Sequence, residues 1–160
     1  GFDPALATDI RTGKVISLVY DNLVRFGNST ELLPSIARKW SVSEDGRAYL
    51  FFLDTLAQFY DGRKINTQDV VYSIERVLNP NIKSPQTWLF DRIVGAKEYM
   101  DGLSPVVSGL SILDNKTLQI IIKEPFAPFL QYFAMPSAAI VNPSRIENIK
   151  NILKGKSLKE

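Results

Sequence analysis

The sequence predicts a layered α/β domain that has a mixed sheet with flanking helices. The first observation behind this prediction is a strand, a turn and a capped helix in consecutive order over residues 48–80. The second is a pair of strand-like runs, 107–113 and 117–123, whose three-residue connection is typical of an antiparallel hairpin. A chain of 160 residues is expected to form one domain. A chain of this size buries roughly 70% of its unfolded surface, which is enough for a hydrophobic core.

Residues 48–80 contain the strongest local signals. Residues 48–53 are apolar and aromatic, as expected for a largely buried strand, and Asp61-Gly62 marks a turn. Asn66 is expected to cap the next helix with Asp69 as its reciprocal partner, and Asn79-Pro80 ends that helix. One apolar face of this helix is formed by Val70, Val71, Ile74, Val77 and Leu78.

The part of the chain before this segment is predicted to be helical. Apolar residues recur at helical spacing over 12–26, which predicts a helix of roughly four turns. Residues 31–40 carry a shorter apolar pattern, which predicts one or two helical turns. Residues 43–46 are expected to turn the chain into the strand that begins at Ala48.

The part after Pro80 alternates between predicted helices and strands. A helix over 87–100 is expected to break or reorient at Gly95 and to end at Asp101-Gly102. Beyond the hairpin, Pro128 marks the start of a short helix that Met135-Pro136 closes, and residues 138–141 are predicted as a short strand.

The C-terminal residues predict one more helix. Ser144 and Glu147 form a capping-box pattern at its start, and the polar residues 154–160 are expected to fray. The apolar positions of this helix are Ile146, Ile149, Ile152 and Leu153.

Composition argues against several functional classes. The net charge is only +2 and the Lys and Arg residues are scattered, so no nucleic acid partner is expected. Cys and His are both absent, so the chain has no disulfide or thiolate site and lacks the most common general base and metal ligand. The glycines do not gather into a nucleotide-binding motif. We therefore predict a protein that is not an enzyme and that uses no cofactor or metal.

The sequence contains no predicted membrane span or leader. No run approaches 18 apolar residues, which argues against a transmembrane helix. The chain opens on Gly1-Phe2-Asp3-Pro4 without the basic region and apolar core of a signal peptide, and this abrupt start indicates a trimmed chain.

Trp88 is the aromatic residue with the clearest functional alternative. It follows a polar loop at the start of a predicted helix. Two interpretations stay open: a core residue, or an amphipathic wall of a ligand cleft whose indole N–H meets a polar partner. Asp61 and Asp69 are interpreted as a turn residue and a helix-start residue rather than as a catalytic acid and a metal ligand.

Several short motifs occur in an order that matches a known family. They are FDPA at 2–5, VYDNLV at 19–24, LPSIARKW at 33–40, SEDGRAY at 43–49, FYDG at 59–62, DVVYS at 69–73, SP at 84–85 ahead of Trp88, PFAPFL at 125–130 and MP at 135–136. In this order and spacing the chain, to about Pro143, resembles the solute-binding proteins of ABC importers for oligopeptides, dipeptides and nickel, known as family 5 of the extracellular solute-binding proteins.

The resemblance implies a type II periplasmic-binding-protein fold. It implies a receptor in the periplasm or on the cell surface, which captures a peptide or another small solute between two lobes and passes it to ABC permease subunits. Nickel complexes, glutathione and sugars are the alternative solutes. Contact with the membrane would occur only through the permease or through a lipid anchor outside these residues.

The chain also departs from the family pattern. Family members are much longer, so we expect an N-terminal fragment without the usual first strand and without the second lobe. Residues 1–143 would form part of the first lobe and the small extra subdomain, and residues 144–160 a polar helical tail at the truncation point. Leu53-Asp54 stands where the family has Leu-Arg, and Tyr60 stands where His is common.

The resemblance also implies which residues contact the ligand. In the family, the segment after the Asp-Pro motif and the loop that corresponds to 84–88 face the ligand. We therefore predict ligand contact for Trp88, Thr8, Asp9, Gln86 and Thr87.

Two other hypotheses remain open at this stage. The first is a self-associating interaction module with no ligand of its own, because truncation exposes sheet edges and apolar surface. The second is a hydrolase that uses paired carboxylates, which the absence of His and Cys makes the weaker hypothesis.

Overall fold

A computed structural model describes residues 2–157 of the chain, with side chains through Asn151. The described helices are α1 (Ile10–Val19), α2 (Thr67–Leu78), α3 (Ala96–Met100), α4 (Phe129–Tyr132) and α5 (Pro143–Ser157). The described strands are β1 (Val24–Phe26), β2 (Leu32–Pro34), β3 (Ala37–Val42), β4 (Ala48–Leu53), β5 (Leu110–Ile112) and β6 (Thr117–Ile121). Short 3-10 helices cover Pro4–Leu6, Thr87–Leu89 and Pro136–Ala138. The predicted α/β class is therefore confirmed.

The strands form two antiparallel sheets. β1 pairs with β2, and the larger sheet has the strand order β3-β4-β6-β5. Every strand pair among the described residues is antiparallel, so the prediction of a mixed sheet is wrong in this respect. Tight turns join β3 to β4 and β5 to β6, which makes these two pairs antiparallel, since parallel neighbours need a long crossover connection. The connection from β4 to β6 is long, so the direction of that pair is decided by the tertiary structure.

The core lies between the β4–β6 pair and the helices. Tyr49 on β4 faces Ile120 on β6, and Phe51 faces Leu118, so buried side chains of both strands share one face of the sheet. Helix α4 adds an aromatic ring to this face, because the Tyr49 and Phe129 ring centroids lie 5.1 Å apart. Phe133, which directly follows α4, adds a second ring 5.1 Å from that of Phe51. One hydrophobic cluster contains these residues together with the buried face of α2.

The strand and helix predicted within residues 48–80 are confirmed. Strand β4 has the predicted bounds, and its residues alternate between buried and half-buried. Asn66 caps α2 with Asp69 as its reciprocal partner, since each side chain accepts a hydrogen bond from the other residue's backbone N–H. The predicted hairpin is confirmed as β5 and β6, and Pro128 precedes α4 as predicted.

The helix predicted over 12–26 is wrong in its second half. Helix α1 begins at Ile10 and ends at Val19, and Val24 starts a strand. The backbone carbonyls of Asp21 and Asn22 accept hydrogen bonds from Ile140 and Ile36, at 2.9 and 3.1 Å. These long-range bonds replace the hydrogen bonds that a continued helix would have made.

Other local predictions also need correction. Residues 31–40 form parts of β2 and β3 rather than helical turns. Residues 87–100 contain a 3-10 helix and α3, although Gly95 is the reorientation point as predicted, with a left-handed backbone of φ 81°. Residues 138–141 are not a strand. At the start of α5, Asn142 rather than Ser144 accepts the capping hydrogen bond, from the Ser144 backbone N–H at 3.1 Å.

Some predictions fall outside what the structure describes. The side chains of Ile152 and Leu153 and the chain end at residues 158–160 lie outside the described part of the chain. None of the described helices is both long and apolar enough to span a membrane.

Candidate functional site

A groove of about 650 Å³ lies between the N-terminal part of the chain and two later segments. One wall is formed by residues 7–9 of the N-terminal segment, which is defined as residues 2–9, and by one face of α1. The other wall comes from Gln86 of the Trp88 loop, which is defined as residues 84–88, together with Leu89 and residues 135–137. Much of the lining is apolar, including Ile10, Leu18, Met135 and Pro136. A concave, mostly apolar surface with a few polar groups is typical of a ligand-binding site.

Helix α1 reaches the groove through one of its faces. Ile10, Gly13, Lys14 and Ser17 line the groove, at a spacing that places them on one side of a helix. Gly13 permits the close approach of the opposite wall, because a Cβ atom at this position would lie 3.3 Å from Cγ of Pro136.

Asp9 is held in place by the start of α1. Its carboxylate accepts a hydrogen bond from the Thr12 backbone N–H at 2.9 Å and one from the Thr12 hydroxyl at 2.7 Å. The backbone N–H of Thr12, followed by its hydroxyl, holds the pKa of the Asp9 carboxyl below its ordinary value of 3.8. The groove therefore has a fixed negative charge at neutral pH.

The Trp88 loop is fastened to the N-terminal segment by two side chains. The Ser84 hydroxyl donates a hydrogen bond to the Ala5 carbonyl, and Nε2 of Gln86 donates one to the Ala7 carbonyl at 2.6 Å. These bonds join residues 79 positions apart in the chain. The two segments that the resemblance assigned to ligand contact are therefore neighbours in space.

Trp88 lies at the surface, with 40% of its area exposed. Its indole Nε1 donates a hydrogen bond to Oε1 of Gln86 at 2.9 Å. Its ring meets Tyr132 edge to face, with the two ring centroids 5.1 Å apart. The interpretation of Trp88 as a core residue is therefore wrong, and the indole N–H has the polar partner that the alternative required.

The structure brings most of the predicted site residues together. Thr8, Asp9 and Gln86 line the groove. Thr87 and Trp88 belong to the same loop but are not among the residues that line it. Whether any of the five contacts a ligand stays a prediction.

Sequence reasoning missed the contributions of α1 and of residues 135–137. Lys14, Ser17 and Ser137 line the groove and were not predicted. The signal for the α1 residues was present, since positions 10, 13, 14, 17 and 18 share one helical face. The helix over 12–26 was predicted from the spacing of its apolar residues, and Gly13, Lys14 and Ser17 are not apolar, so that spacing does not point to them. Among the described residues, no cluster of three or more acidic side chains is arranged to hold a metal ion.

The sequence matches a family model over most of its length. Residues 31–157 match the model described as bacterial extracellular solute-binding proteins, family 5, middle region. This match covers well over half of the chain.

Individual relatives are named for the solutes they bind, which are peptides in most cases and heme in one. The dipeptide-binding protein of Escherichia coli is 35% identical over 153 residues, which covers 89% of this chain and 28% of the relative. The periplasmic murein peptide-binding protein MppA of Escherichia coli is 31% identical, covering 92% and 28%. Heme-binding protein A of Haemophilus influenzae is 30% identical, covering 88% and 26%. The chain thus spans about 28% of the length of the first relatives it matches.

Solved structures give the same result for the fold. The murein tripeptide-binding protein MppA of Escherichia coli superposes with a TM-score of 0.86 at 29% identity, covering 92% of this chain and 30% of the other. A periplasmic oligopeptide-binding protein from Borrelia burgdorferi gives 0.86 at 26% identity, with the same coverage. The chain belongs to family 5 of the bacterial extracellular solute-binding proteins.

Proposed function

We propose that this chain is part of a receptor that captures peptides outside the cytoplasm and delivers them to an ABC importer. The observation that supports the proposal is the groove between the N-terminal segment and the Trp88 loop, in a chain whose relatives are named for binding peptides. The receptor would reside in the periplasm or on the cell surface. Its partners would be the peptide and the permease subunits.

The chemistry of the groove suits a receptor for varied peptides. Apolar side chains such as Ile10 and Leu18 accept apolar side chains of different shapes. Main-chain groups and ordered water supply hydrogen bonds that do not depend on the peptide sequence. The proposed activity is binding followed by closure of two lobes around a hinge, with no chemical step.

The chain is proposed to form one side of the binding cleft. It spans about 28% of the length of its relatives, and we assign residues 1–143 to part of the first lobe with the small subdomain. Residues 144–160 would form the helical tail. A ligand held by one side alone loses much of its buried surface, so the 160-residue chain should bind peptides weakly or not at all.

Titration calorimetry with a mixture of di- to pentapeptides tests this proposal. A receptor of full family length that carries this segment should bind with micromolar or tighter affinity, and the isolated chain should not. Tight binding by the isolated chain would show that it contains a complete site. Absence of binding by the long receptor, with binding of glutathione, a sugar, heme or a nickel complex instead, would replace the peptide by that solute.

A separate experiment tests whether the proposed receptor is held at the membrane by a lipid anchor. Labelling of cells that express the long receptor with radioactive palmitate, followed by fractionation, distinguishes an anchored receptor from a free periplasmic one. Label in the membrane fraction supports an anchor, and unlabelled receptor in the periplasmic fraction refutes it.

Self-association is a second candidate function, and one specific observation favours it. Three apolar side chains of α1 are uncovered by the described residues, since Ile10, Leu18 and Val19 are 79%, 86% and 67% exposed. Exposed apolar side chains can contribute to an interaction surface. Light scattering of the isolated chain decides between the candidates, because a monomer at high concentration rules out a module that acts by self-association.

A further inference from the structure

Gln86 belongs to one wall of the groove and bonds to the other. Its Nε2 donates a hydrogen bond to the Ala7 carbonyl at 2.6 Å, and its Oε1 accepts one from the Trp88 indole at 2.9 Å. Its own backbone N–H donates to the Ser84 hydroxyl at 3.1 Å. One half-buried side chain thus connects the N-terminal segment with the exposed ring of Trp88.

The two partners of Gln86 have opposite requirements. The Ala7 carbonyl can only accept a hydrogen bond, and the indole N–H can only donate one. A primary amide contains both a donor and an acceptor and meets both requirements at once. A carboxylate of the same shape would serve the indole but would leave the carbonyl without a donor. An apolar side chain of the same size would serve neither partner.

The orientation of the Trp88 ring depends on its hydrogen bond to Gln86 more than the orientation of a buried ring would. Packing surrounds a core aromatic ring, whereas Trp88 is 40% exposed and has Tyr132 as its aromatic neighbour, edge to face at an interplanar angle of 82°. The edge contact limits where the ring lies, and the hydrogen bond from Nε1 limits how the ring is turned. Without the acceptor, the indole N–H would bond to water, and other rotamers would become accessible.

We propose that Gln86 is a positioning residue that sets the orientation of the Trp88 indole relative to the groove, and that it acts on the ligand through Trp88. Its effect on the ligand rests on the proposed peptide-binding function; its effect on the ring does not. Through the Ala7 carbonyl, the same amide ties the orientation of the ring to the N-terminal segment, whose next residues Thr8 and Asp9 line the groove.

The effect on the ring is tested in the 160-residue chain without any peptide. Trp40→Phe removes the other Trp of the chain. Near-ultraviolet circular dichroism and fluorescence anisotropy, measured at the long-wavelength edge where Tyr and Phe do not absorb, then report on Trp88 alone. In this background Gln86→Leu should abolish most of the Trp88 dichroism and lower the anisotropy. A folded Gln86→Leu variant with the dichroism and anisotropy of its parent would overturn the proposal.

Gln86→Glu distinguishes the effect of the hydrogen bond to the Ala7 carbonyl from the effect of the hydrogen bond to the Trp88 indole. At neutral pH the carboxylate still accepts from the indole, so the Trp88 signals should stay. The carbonyl of Ala7 loses its donor and faces a carboxylate oxygen instead, which loosens the turn in which the Leu6 and Ala7 N–H groups donate to the carbonyls of Asp3 and Pro4. Amide exchange at Leu6 and Ala7 should therefore become about two- to twelvefold faster, as expected for the loss of one net hydrogen bond. Loss of the Trp88 signals in the Gln86→Glu variant would overturn the proposal, and so would unchanged amide exchange at Leu6 and Ala7. Both measurements decide the proposal even if Gln86→Leu fails to fold.

Matched variants control the interpretation. Gln68→Leu and Gln68→Glu make the same changes at an exposed position on α2, and they should alter neither the Trp88 signals nor the exchange at Leu6 and Ala7. In the full-length receptor, Gln86→Leu should weaken peptide binding, and the effect should disappear when Trp88→Ala is already present. Absence of peptide binding by the parent receptor would refute the proposed function and leave the spectroscopic test of Gln86 intact.

Discussion

Asp3 and Arg76 lie 73 positions apart in the chain and form a two-point ion pair. Nη1 of Arg76 lies 2.6 Å from Oδ1 of Asp3, and Nη2 bonds the second carboxylate oxygen. Burial opposes the charge of Arg76, but the hydrogen bond and the charge of Asp3 outweigh it and raise the pKa of the guanidinium. The pair therefore fastens the N-terminal segment, and with it one wall of the groove, to α2.

Asp3→Ala should destabilise the chain by roughly 1.5–3 kcal/mol, the range for hydrogen bonds to charged groups. The substitution leaves the buried guanidinium of Arg76 without its counter-charge, and it removes the acceptor for the Ala5 backbone N–H. Urea unfolding measures the difference. Asp3→Asn serves as the control, because it keeps one oxygen that can accept from Ala5 and Arg76 but loses the charge and the second acceptor, so it should have a smaller effect. An Asp3→Ala variant as stable as its parent would contradict the structural role of the pair.

Gly95→Ala should be strongly destabilising. Gly95 has a φ of 81°, and a Cβ atom there would lie 2.7 Å from the Ser108 backbone nitrogen. Both the left-handed conformation and the backbone contact oppose a side chain. Thermal unfolding should show a large fall in the midpoint.

Gly62→Ala is the matched control for Gly95. Gly62 has a similar φ of 84°, but no atom lies within 4 Å of the position that its Cβ would take. This substitution should therefore show the conformational effect alone, about 1–2 kcal/mol. Equal effects of the two substitutions would mean that the Ser108 backbone moves away without penalty.

Glu75→Gln should stabilise the chain at neutral pH and have little effect in acid. Burial raises the pKa of the Glu75 carboxyl above its ordinary value of 4.5, although the Val107 backbone N–H bonds it at 3.0 Å and opposes the rise. A raised pKa in the folded state means that proton binding favours folding. This stabilisation is complete below about pH 4.5 and is lost as the pH rises through the folded-state pKa.

Unfolding free energies of the parent and Glu75→Gln at pH 3.5 and 7 measure this effect. The amide keeps an oxygen for Val107 and carries no charge, so the variant should exceed the parent only at the higher pH. The same difference at both pH values would show that the ionisation of Glu75 is not its cause.

Trp88→Ala and Ile74→Ala should separate the binding surface from the scaffold. Ile74 is 2% exposed within the core, and its truncation should cost about 2–5 kcal/mol of stability. Trp88 is partly exposed, so Trp88→Ala should lose little stability, about 0.5–1.5 kcal/mol from its contact with Tyr132. In the proposed full-length peptide receptor, Trp88→Ala should weaken peptide binding. Chemical unfolding and peptide titration of both variants test the assignment. A large loss of stability in Trp88→Ala together with weaker binding in Ile74→Ala would show that the two roles belong to the opposite residues.

The sequence predicted best where a signal was complete within a few residues. The capping box of Asn66 and Asp69, the bounds of β4 and the reorientation at Gly95 all depend on neighbouring residues. The prediction of α1 failed where distant partners decide the conformation. Asn22 is buried and its side chain donates to the carbonyls of Phe133 and Met135, more than 100 positions away.

The same difference between local signals and contacts of distant residues applies to the candidate site. The resemblance pointed to residues 8–9 and 86–88 as two separate segments, and the sequence alone contains nothing that measures the distance between them. The hydrogen bond from Gln86 to the Ala7 carbonyl shows that they meet. Met135 and Pro136 join the groove only through folding, because their apolar side chains are indistinguishable from core residues in a sequence.

The sequence by itself determined the family, the α/β class and the capped helix α2, because these follow from local pattern and from the order of motifs. The tertiary structure alone decided where α1 ends, that the described strands are all antiparallel, and that Trp88 lies at the surface beside a groove. The physical reason is the range of the interactions. Capping and periodicity act within one or two turns, whereas the ion pair of Asp3 with Arg76 and the bonds of Gln86 and Asn22 join residues that only the folded chain brings into contact.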